Sequence, residues 1–317
     1  MTTRPYRHGI PEEILALSHE RDVLRRRGQY ERADVLKERI EAAGYAVKDN
    51  PHGAHLVILP NIEVDGKLYR TTRHMPSFLD ESDVYAFSVN ILAQNTCEQT
   101  RRCIESVLRF AGNTSLEIIL VDNASQDETA GWAEVLQARE PRLHLLRATR
   151  TMGTAEARNI GLKQSRGGYI LLLDSGVELT GDIFTPLAQT LANKKVGVTG
   201  LRGLRTNDLR HFEESQQLEV EAIDCQCMAF RRKLLRQVGL FDERYRYPDF
   251  MDIDFNFALR DKDAQAVVTP DLPIIYHLDI QNTHLSDTER LRLNKRNFYR
   301  FLSKWGDRDD LLLQDEE

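Results

Sequence analysis

Five segments carry side chains that bear on a charged, hydroxyl-rich ligand. Asp122 and Asn123 follow the apolar run Ile118-Ile119-Leu120, so they stand at a strand end before a turn of acceptors, Ser125-Gln126-Asp127. A carboxylate there can accept the N–H donors of a nucleobase or ribose hydroxyls. The plainer reading is an Asx turn with a helix cap at Ser125 or Asp127, and spacing alone weighs the two equally. Gly153 opens a helix that carries Arg158 on its first turns. A helix start favours anions, so Arg158 would face a phosphate or orient an acid, although spacing alone favours an ordinary surface arginine. Tyr169-Ile170-Leu171-Leu172-Leu173 delivers Asp174 to the rim of a buried strand. A hard divalent cation on a diphosphate takes one or two carboxylates and keeps several waters, which D-x-D spacing would supply. Gly176 occupies the second position, and Glu178 comes two residues later as an imperfect substitute. Asp252 and Asp254 begin a helix that carries Arg260; the helix dipole explains acids there, yet one of them can take a proton from a hydroxyl. Ile274-Ile275-Tyr276 ends on His277, an ordinary rim histidine unless it stands beside Asp174.

These residues need a scaffold that brings strand ends together. From residue 84 onward strands alternate with helices: strands at 85–92, 117–121, 143–146 and 169–174, helices at 98–110, 128–139 and 155–164. That rhythm implies right-handed βαβ crossovers and a mostly parallel sheet with helices on both faces, hence an α/β fold. Its ligand belongs beyond the carboxyl ends of the strands, where Asn95, Asp122 and Asp174 fall. Ser286 and Glu289 have capping-box spacing and start a helix to Trp305, whose Leu291, Phe298, Leu302 and Trp305 should pack back on the domain.

Ahead of this, residues 11–43 read as two helices joined around Arg27 to Gln29 and stopped at Gly44. Asp49-Asn50-Pro51-His52-Gly53 is a turn cluster, and strands at 56–59 and 67–71, joined through Val64-Asp65-Gly66, predict a short linking β-hairpin. The expected domains are a helical hairpin at 1–50, the linker at 51–82 and the main domain at 83–317.

Two domains also suit 317 residues, and 41% hydrophobic with 29% charged residues is an ordinary globular balance. Lys plus Arg number 43 against 49 Asp plus Glu, a net charge of −6, so no chain-wide basic field exists for nucleic acid. The apolar runs are far below the roughly 20 residues of a membrane helix. MTTRPYRHGIPEE contains no secretory-type stretch, so the expected place of action is the cytoplasm, with membrane-peripheral attachment compatible. Cys97, Cys103, Cys225 and Cys227 lack C-x2-C zinc spacing and read as free thiols.

Taken in order, Ser88 to Asn95, Val121 to Thr129, Gly153 to Leu162, Tyr169 to Asp174, Val238 to Glu243, Met251 to Arg260 and His277 resemble the inverting glycosyltransferases of family 2, with their GT-A fold, over residues 84–305. The resemblance implies transfer of a sugar from a nucleoside diphosphate, most often uridine diphosphate (UDP), to an acceptor hydroxyl. It also implies donor binding by Asn95, Asp122, Asn123, Arg158 and Asp174, Asp252 as general base, and Mg2+ or Mn2+ held by Asp174 with His277. Three departures stand out: Met251 replaces the usual acid before Asp252, Gln94 stands where a tyrosine is usual, and Gly176 removes the second metal acid. They motivate a rival reading, a nucleotide-sugar-binding protein that has lost transfer. Residues 11–53, through Glu20-Arg21, Tyr30 to Asp34, Ala42-Ala43-Gly44 and Asp49 to Gly53, are similar to the carboxyl-terminal segment of cysteinyl-tRNA synthetases, without that enzyme's catalytic motifs. That implies docking or homodimerisation through the hairpin, or RNA contact through Arg21, Arg25, Arg26 and Arg27, against the plainer reading of a solvated, acid-paired helix face.

Overall fold

The computed structural model describes residues 10–50, 53–58, 62–277 and 286–314, in two compact units, Met1–Met75 and Pro76–Glu317. In the first unit, α1 (Glu12–Arg26) and α2 (Tyr30–Ala42) are joined at Gly28, whose φ of +73° suits glycine, and pack through Leu24, Ala33 and Leu36. Gly44, at φ +91°, follows the end of α2. β1 (Tyr45–Asn50) pairs antiparallel with β2 (Gly53–Ile58), and β3 (Ile62–Val64) with β4 (Lys67–Tyr69).

The expected pairing of 56–59 with 67–71 is therefore corrected. Each turn signal closes its own hairpin: the first folds β2 onto β1, and Asp65 and Gly66, both left-handed at φ +48° and +73°, close β3 onto β4 as a two-residue turn. Pro51, His52 and Leu59 lie outside the described residues. Arg21 is also corrected as an RNA contact. It is buried, and its guanidinium grips both oxygens of Asp49 at 2.9 Å, tying α1 to β1.

The second unit runs β5 (Tyr85–Ala93), α3 (Cys97–Phe110), β6 (Leu116–Asp122), α4 (Thr129–Gln137), β7 (Leu143–Ala148), α5 (Thr154–Gln164) and β8 (Gly167–Asp174). Next come β9 (Val177–Leu179), α6 (Phe184–Ala192), β10 (Val196–Gly200), β11 (Gly203–Arg205), β12 (Glu213–Ser215), β13 (Glu219–Val220), β14 (Ala222–Ile223) and β15 (Cys227–Arg231). It closes with α7 (Leu235–Val238), α8 (Met251–Arg260), β16 (Gln265–Val268), β17 (Ile274–Tyr276) and α9 (Asp287–Trp305).

Its main sheet has the order β13-β16-β10-β15-β8-β5-β6-β7. β8, β5, β6 and β7 are parallel, as the βαβ rhythm requires, whereas β15 lies antiparallel between β8 and β10 and makes the sheet mixed. Both faces are covered, because successive residues of β8 enter different cores: Leu171 and Leu173 pack with Ile104, Val107 and Phe184, and Ile170 and Leu172 with Phe230, Phe241 and Phe255. The register sets Ala93 beside Asp122 and Leu92 beside Asp174, so three strand ends open on one rim.

The Ser286 side chain accepts from the Glu289 N–H as its spacing predicts. On α9, Phe301 and Trp305 join the core, but Leu291 points to solvent, contrary to expectation. No helix among the described residues is long and apolar enough to cross a membrane.

Candidate active site

Two loops at the rim are stitched together by side chains named from the sequence. Asn95 has left-handed backbone, φ +54°; its N–H donates to Ser125 Oγ at 2.9 Å, and its Oδ1 accepts from the Gln126 N–H at 2.6 Å. Ala124, at φ +60°, bends the second loop so that the Ser125 N–H reaches Oδ1 of Asp122 at 3.1 Å. A left-handed alanine costs about 1 kcal/mol, and such strain persists where surrounding bonds impose it. Asp122 is only 2% exposed, and burial raises its pKa despite the Ser125 hydrogen bonds. A partner N–H or hydroxyl from a ligand would restore that lost solvation. Asn123 is differently employed: its Oδ1 accepts from the Met152 N–H at 2.8 Å and its Nδ2 donates to the Met152 carbonyl at 3.2 Å. Gln94 joins the same loop through Thr151 Oγ1 at 3.2 Å.

Arg158, on α5, is 6% exposed and reaches the sheet, with Nη1 donating at 3.3 Å to the carbonyls of Asn90 and Leu173. It braces β5 against β8 just below the rim. Asp174 receives the Gly176 N–H on Oδ1 at 2.8 Å. Beyond it, β9 pairs antiparallel with β17, which brings His277 next to Gly176 with its N–H on the Gly176 carbonyl at 2.8 Å.

The His277 ring does not stand alone. Its Nε2 lies 2.7 Å from Oε2 of Glu178, which leaves Nδ1 as the nitrogen for another partner. A carboxylate behind an imidazole fixes its tautomer and ring orientation, the usual arrangement around a metal-binding histidine. Asp174 and His277 are a carboxylate and an imidazole, donor types that divalent cations such as Mn2+ accept. Glu178, named from the sequence as a substitute for the missing acid, thus pairs with the histidine.

Asp252 starts α8 behind Phe250, whose backbone is left-handed at φ +67°. It is 9% exposed, accepts the N–H groups of Cys225 at 3.1 Å and Ile253 at 2.9 Å, and its pKa is pushed up to about 6 by burial and then by Asp224. Asp254 is held elsewhere, by Lys304 and Trp305.

Sequence reasoning missed Asp224. One of its oxygens, one of Asp252's and the Cys225 sulfur lie within 4.8 Å of one another. Burial raises the pKa of Asp224, and Asp174 adds to the shift, so the three aspartates share one electronegative region. Asp174 and Asp252, far apart in the chain, converge there through Asp224. Arg202, 3.7 Å from Asp224, and Arg158, which offsets the carboxylates at Cys225, are the nearby cations among the described residues. The signal available was an acid three residues before the apolar strand Cys227-Met228-Ala229-Phe230.

Residues 88–265 match the family described as glycosyl transferase family 2. The chain is 26% identical over 209 residues to the succinoglycan biosynthesis protein ExoO of Rhizobium meliloti, covering 59% of each. It is 28% identical over 111 residues to the glycosyltransferase GlyG of Streptococcus pneumoniae serotype 4, covering 35% of this chain and 36% of that one. The chain thus spans about a third to three fifths of the length of these relatives. Among solved structures it resembles GalNAc-T7 with UDP, GalNAc and Mn2+, at TM-score 0.60 and 16% identity over 73% of this chain and 50% of that one. It also resembles the mannosyltransferase PcManGT from Pyrobaculum calidifontis in complex with GDP-Man and Mn2+, at TM-score 0.54 and 18% identity over 74% and 68%. These likenesses establish the GT-A fold.

Proposed function

Because the chain belongs to glycosyl transferase family 2, we propose that it is an inverting glycosyltransferase, moving a sugar from a nucleoside diphosphate to an acceptor hydroxyl. UDP is the first donor to test. The observation that carries this reading is Asp252, a buried carboxylate with a pKa near 6 whose oxygen lies within 4.8 Å of one from Asp224. In a single displacement the acceptor oxygen bonds to the anomeric carbon as the bond to the diphosphate breaks. The bonding electrons leave with the diphosphate oxygen, and the acceptor proton passes to Asp252. A carboxylate with raised proton affinity suits that task, worth about 10² to 10⁴ in rate.

Asp122 would receive the base or ribose, while Asn95, Asn123 and Arg158 hold the loops and strands that shape its pocket. Asp174 and His277 would hold Mg2+ or Mn2+, whose chemistry here is neutralisation of the leaving diphosphate. The GalNAc-T7 structure contains UDP, GalNAc and Mn2+ and the PcManGT structure GDP-Man and Mn2+, which supports a cation-assisted reading. Docking or dimerisation is the role proposed for the amino-terminal unit, and the cytoplasm or a membrane periphery the place of action.

Release of UDP from UDP-sugars, with and without Mn2+ and candidate acceptors, tests the proposal. Turnover that yields the inverted anomer supports it. Nucleotide binding without hydrolysis or transfer under any metal favours the binding-protein reading, which Gly176 and Met251 motivate.

A further inference from the structure

A D-x-D pair would offer its second carboxylate from position 176, and the packing there excludes one. A β-carbon on Gly176 would stand 2.8 Å from the His277 carbonyl oxygen and 3.2 Å from Oδ1 of Asp174. That carbonyl is held in place, because β17 is paired with β9 and the His277 N–H is bound to Gly176. A second acidic oxygen has to come from another part of the fold.

The adjacent strand provides one. β15 is antiparallel to β8 with Cys227 opposite Leu173, and the Asp174 N–H donates to the Gln226 carbonyl at 2.9 Å, which lays the 224–226 turn alongside Asp174. The Gln226 N–H holds Oδ1 of Asp224 at 2.6 Å on that turn. Arg202, at 3.7 Å from Oδ2, is beyond hydrogen-bond distance. Tyr276 packs on the same spot from the far side, with its Cε2 3.3 Å from the excluded β-carbon.

We propose that Asp224 supplies the carboxylate missing at position 176, so that Asp174, at the end of β8, and Asp224, on the turn that leads into the neighbouring antiparallel strand β15, share the divalent cation that accompanies a nucleoside diphosphate. This rests on the nucleotide-sugar reading of the site. The two aspartates offer hard oxygen ligands, the kind Mg2+ and Mn2+ take.

The test measures Mn2+ binding to the full chain by the electron paramagnetic resonance signal of free Mn2+, with and without UDP, and needs no turnover. Asp224→Asn keeps the acceptor for Gln226 yet should weaken Mn2+ binding in the presence of UDP by about tenfold or more, as should Asp174→Asn. Asp224→Glu should recover part of the affinity, which separates a ligand from a turn-shaping residue. Metal-free UDP binding and the unfolding midpoint serve as controls for folding. Wild-type Mn2+ affinity in Asp224→Asn overturns the inference and leaves the transferase reading standing. Failure of the wild-type chain to take up Mn2+ with UDP also overturns it, while sugar turnover judges the transferase reading separately.

Discussion

Asp252 and Asp254 begin the same helix two residues apart, yet their carboxylates meet opposite fates: Asp252 accepts only backbone N–H groups, at 3.1 and 2.9 Å, whereas Asp254 is gripped by Lys304 at 3.0 Å and Trp305 at 2.8 Å. An acid with no cation partner keeps its appetite for a proton. Asp252→Asn should lower transfer by about 10² to 10⁴ and leave UDP affinity within about threefold of wild type. Steady-state rates with calorimetric binding check both, and a near-full rate would remove Asp252 from the role of base.

The same carboxylate sets a pH dependence. Its folded pKa, about 6, lies above the ordinary 3.8, so the base is charged only above about pH 6, and turnover should fall tenfold per unit below it. For stability the sign is opposite: the native state binds the proton more tightly, so this contribution is full below about pH 3.8 and is lost as pH rises through 6. Asp252→Asn should therefore raise the unfolding midpoint at pH 8 by a few degrees and leave it near wild type at pH 4. A midpoint lowered at pH 8 would contradict the buried, unpaired charge.

Asp254 predicts the reverse phenotype. Its removal strands the buried Trp305 indole N–H and breaks the pair with Lys304 in a core that includes Phe257 and Phe301. Lys304 is half-exposed, which discounts its share of the energy. Asp254→Ala should cost about 2–3 kcal/mol, or roughly 4–12 °C in the unfolding midpoint, with UDP affinity of the folded fraction retained. Differential scanning calorimetry beside UDP titration reads both.

Asp122 and Asn123 separate in the same way. Asp122→Asn keeps an acceptor for Ser125 but loses the charge, so nucleotide affinity should drop about tenfold to a hundredfold with little change in stability. Asn123→Ala releases both main-chain groups of Met152, and should cost about 1–3 kcal/mol, with affinity weakened through the loosened loop. Equal loss of stability in the two variants would deny the division of roles.

What was legible in the sequence was local. Strand–helix alternation put Asp122 and Asp174 at strand ends, since an apolar run followed by an acid and a turn marks a rim, and Ser286 with Glu289 marked the start of α9. What was not legible came from partners far away in the chain. Residues 56–59 read as the partner of 67–71, whereas β2 pairs with β1. Leu291 fits the helical spacing of the buried face of α9, yet the core takes Phe301 and Trp305 and leaves it in solvent. Asp224 stands in a stretch of two- and three-residue strands with no periodicity, and its importance appears only when β15 pairs with β8, about fifty residues upstream.

Glu178 offers the last test, because its work is done through another residue. It holds Nε2 of His277 at 2.7 Å, and Arg102 Nε lies 3.8 Å from the same carboxylate oxygen, limiting its freedom to turn away. Glu178→Gln retains the size and an acceptor but loses the carboxylate charge facing Nε2; Glu178→Ala also releases the ring. Mn2+ affinity in the presence of UDP should fall by about 10-fold in Glu178→Gln and further in Glu178→Ala, with metal-free UDP binding unchanged in both. If His277→Ala weakens Mn2+ binding while both Glu178 variants bind as wild type does, the histidine orients itself and Glu178 is only a surface acid. If all three bind normally, the cation is held by carboxylates alone, and His277 belongs to the packing of β17 against β9.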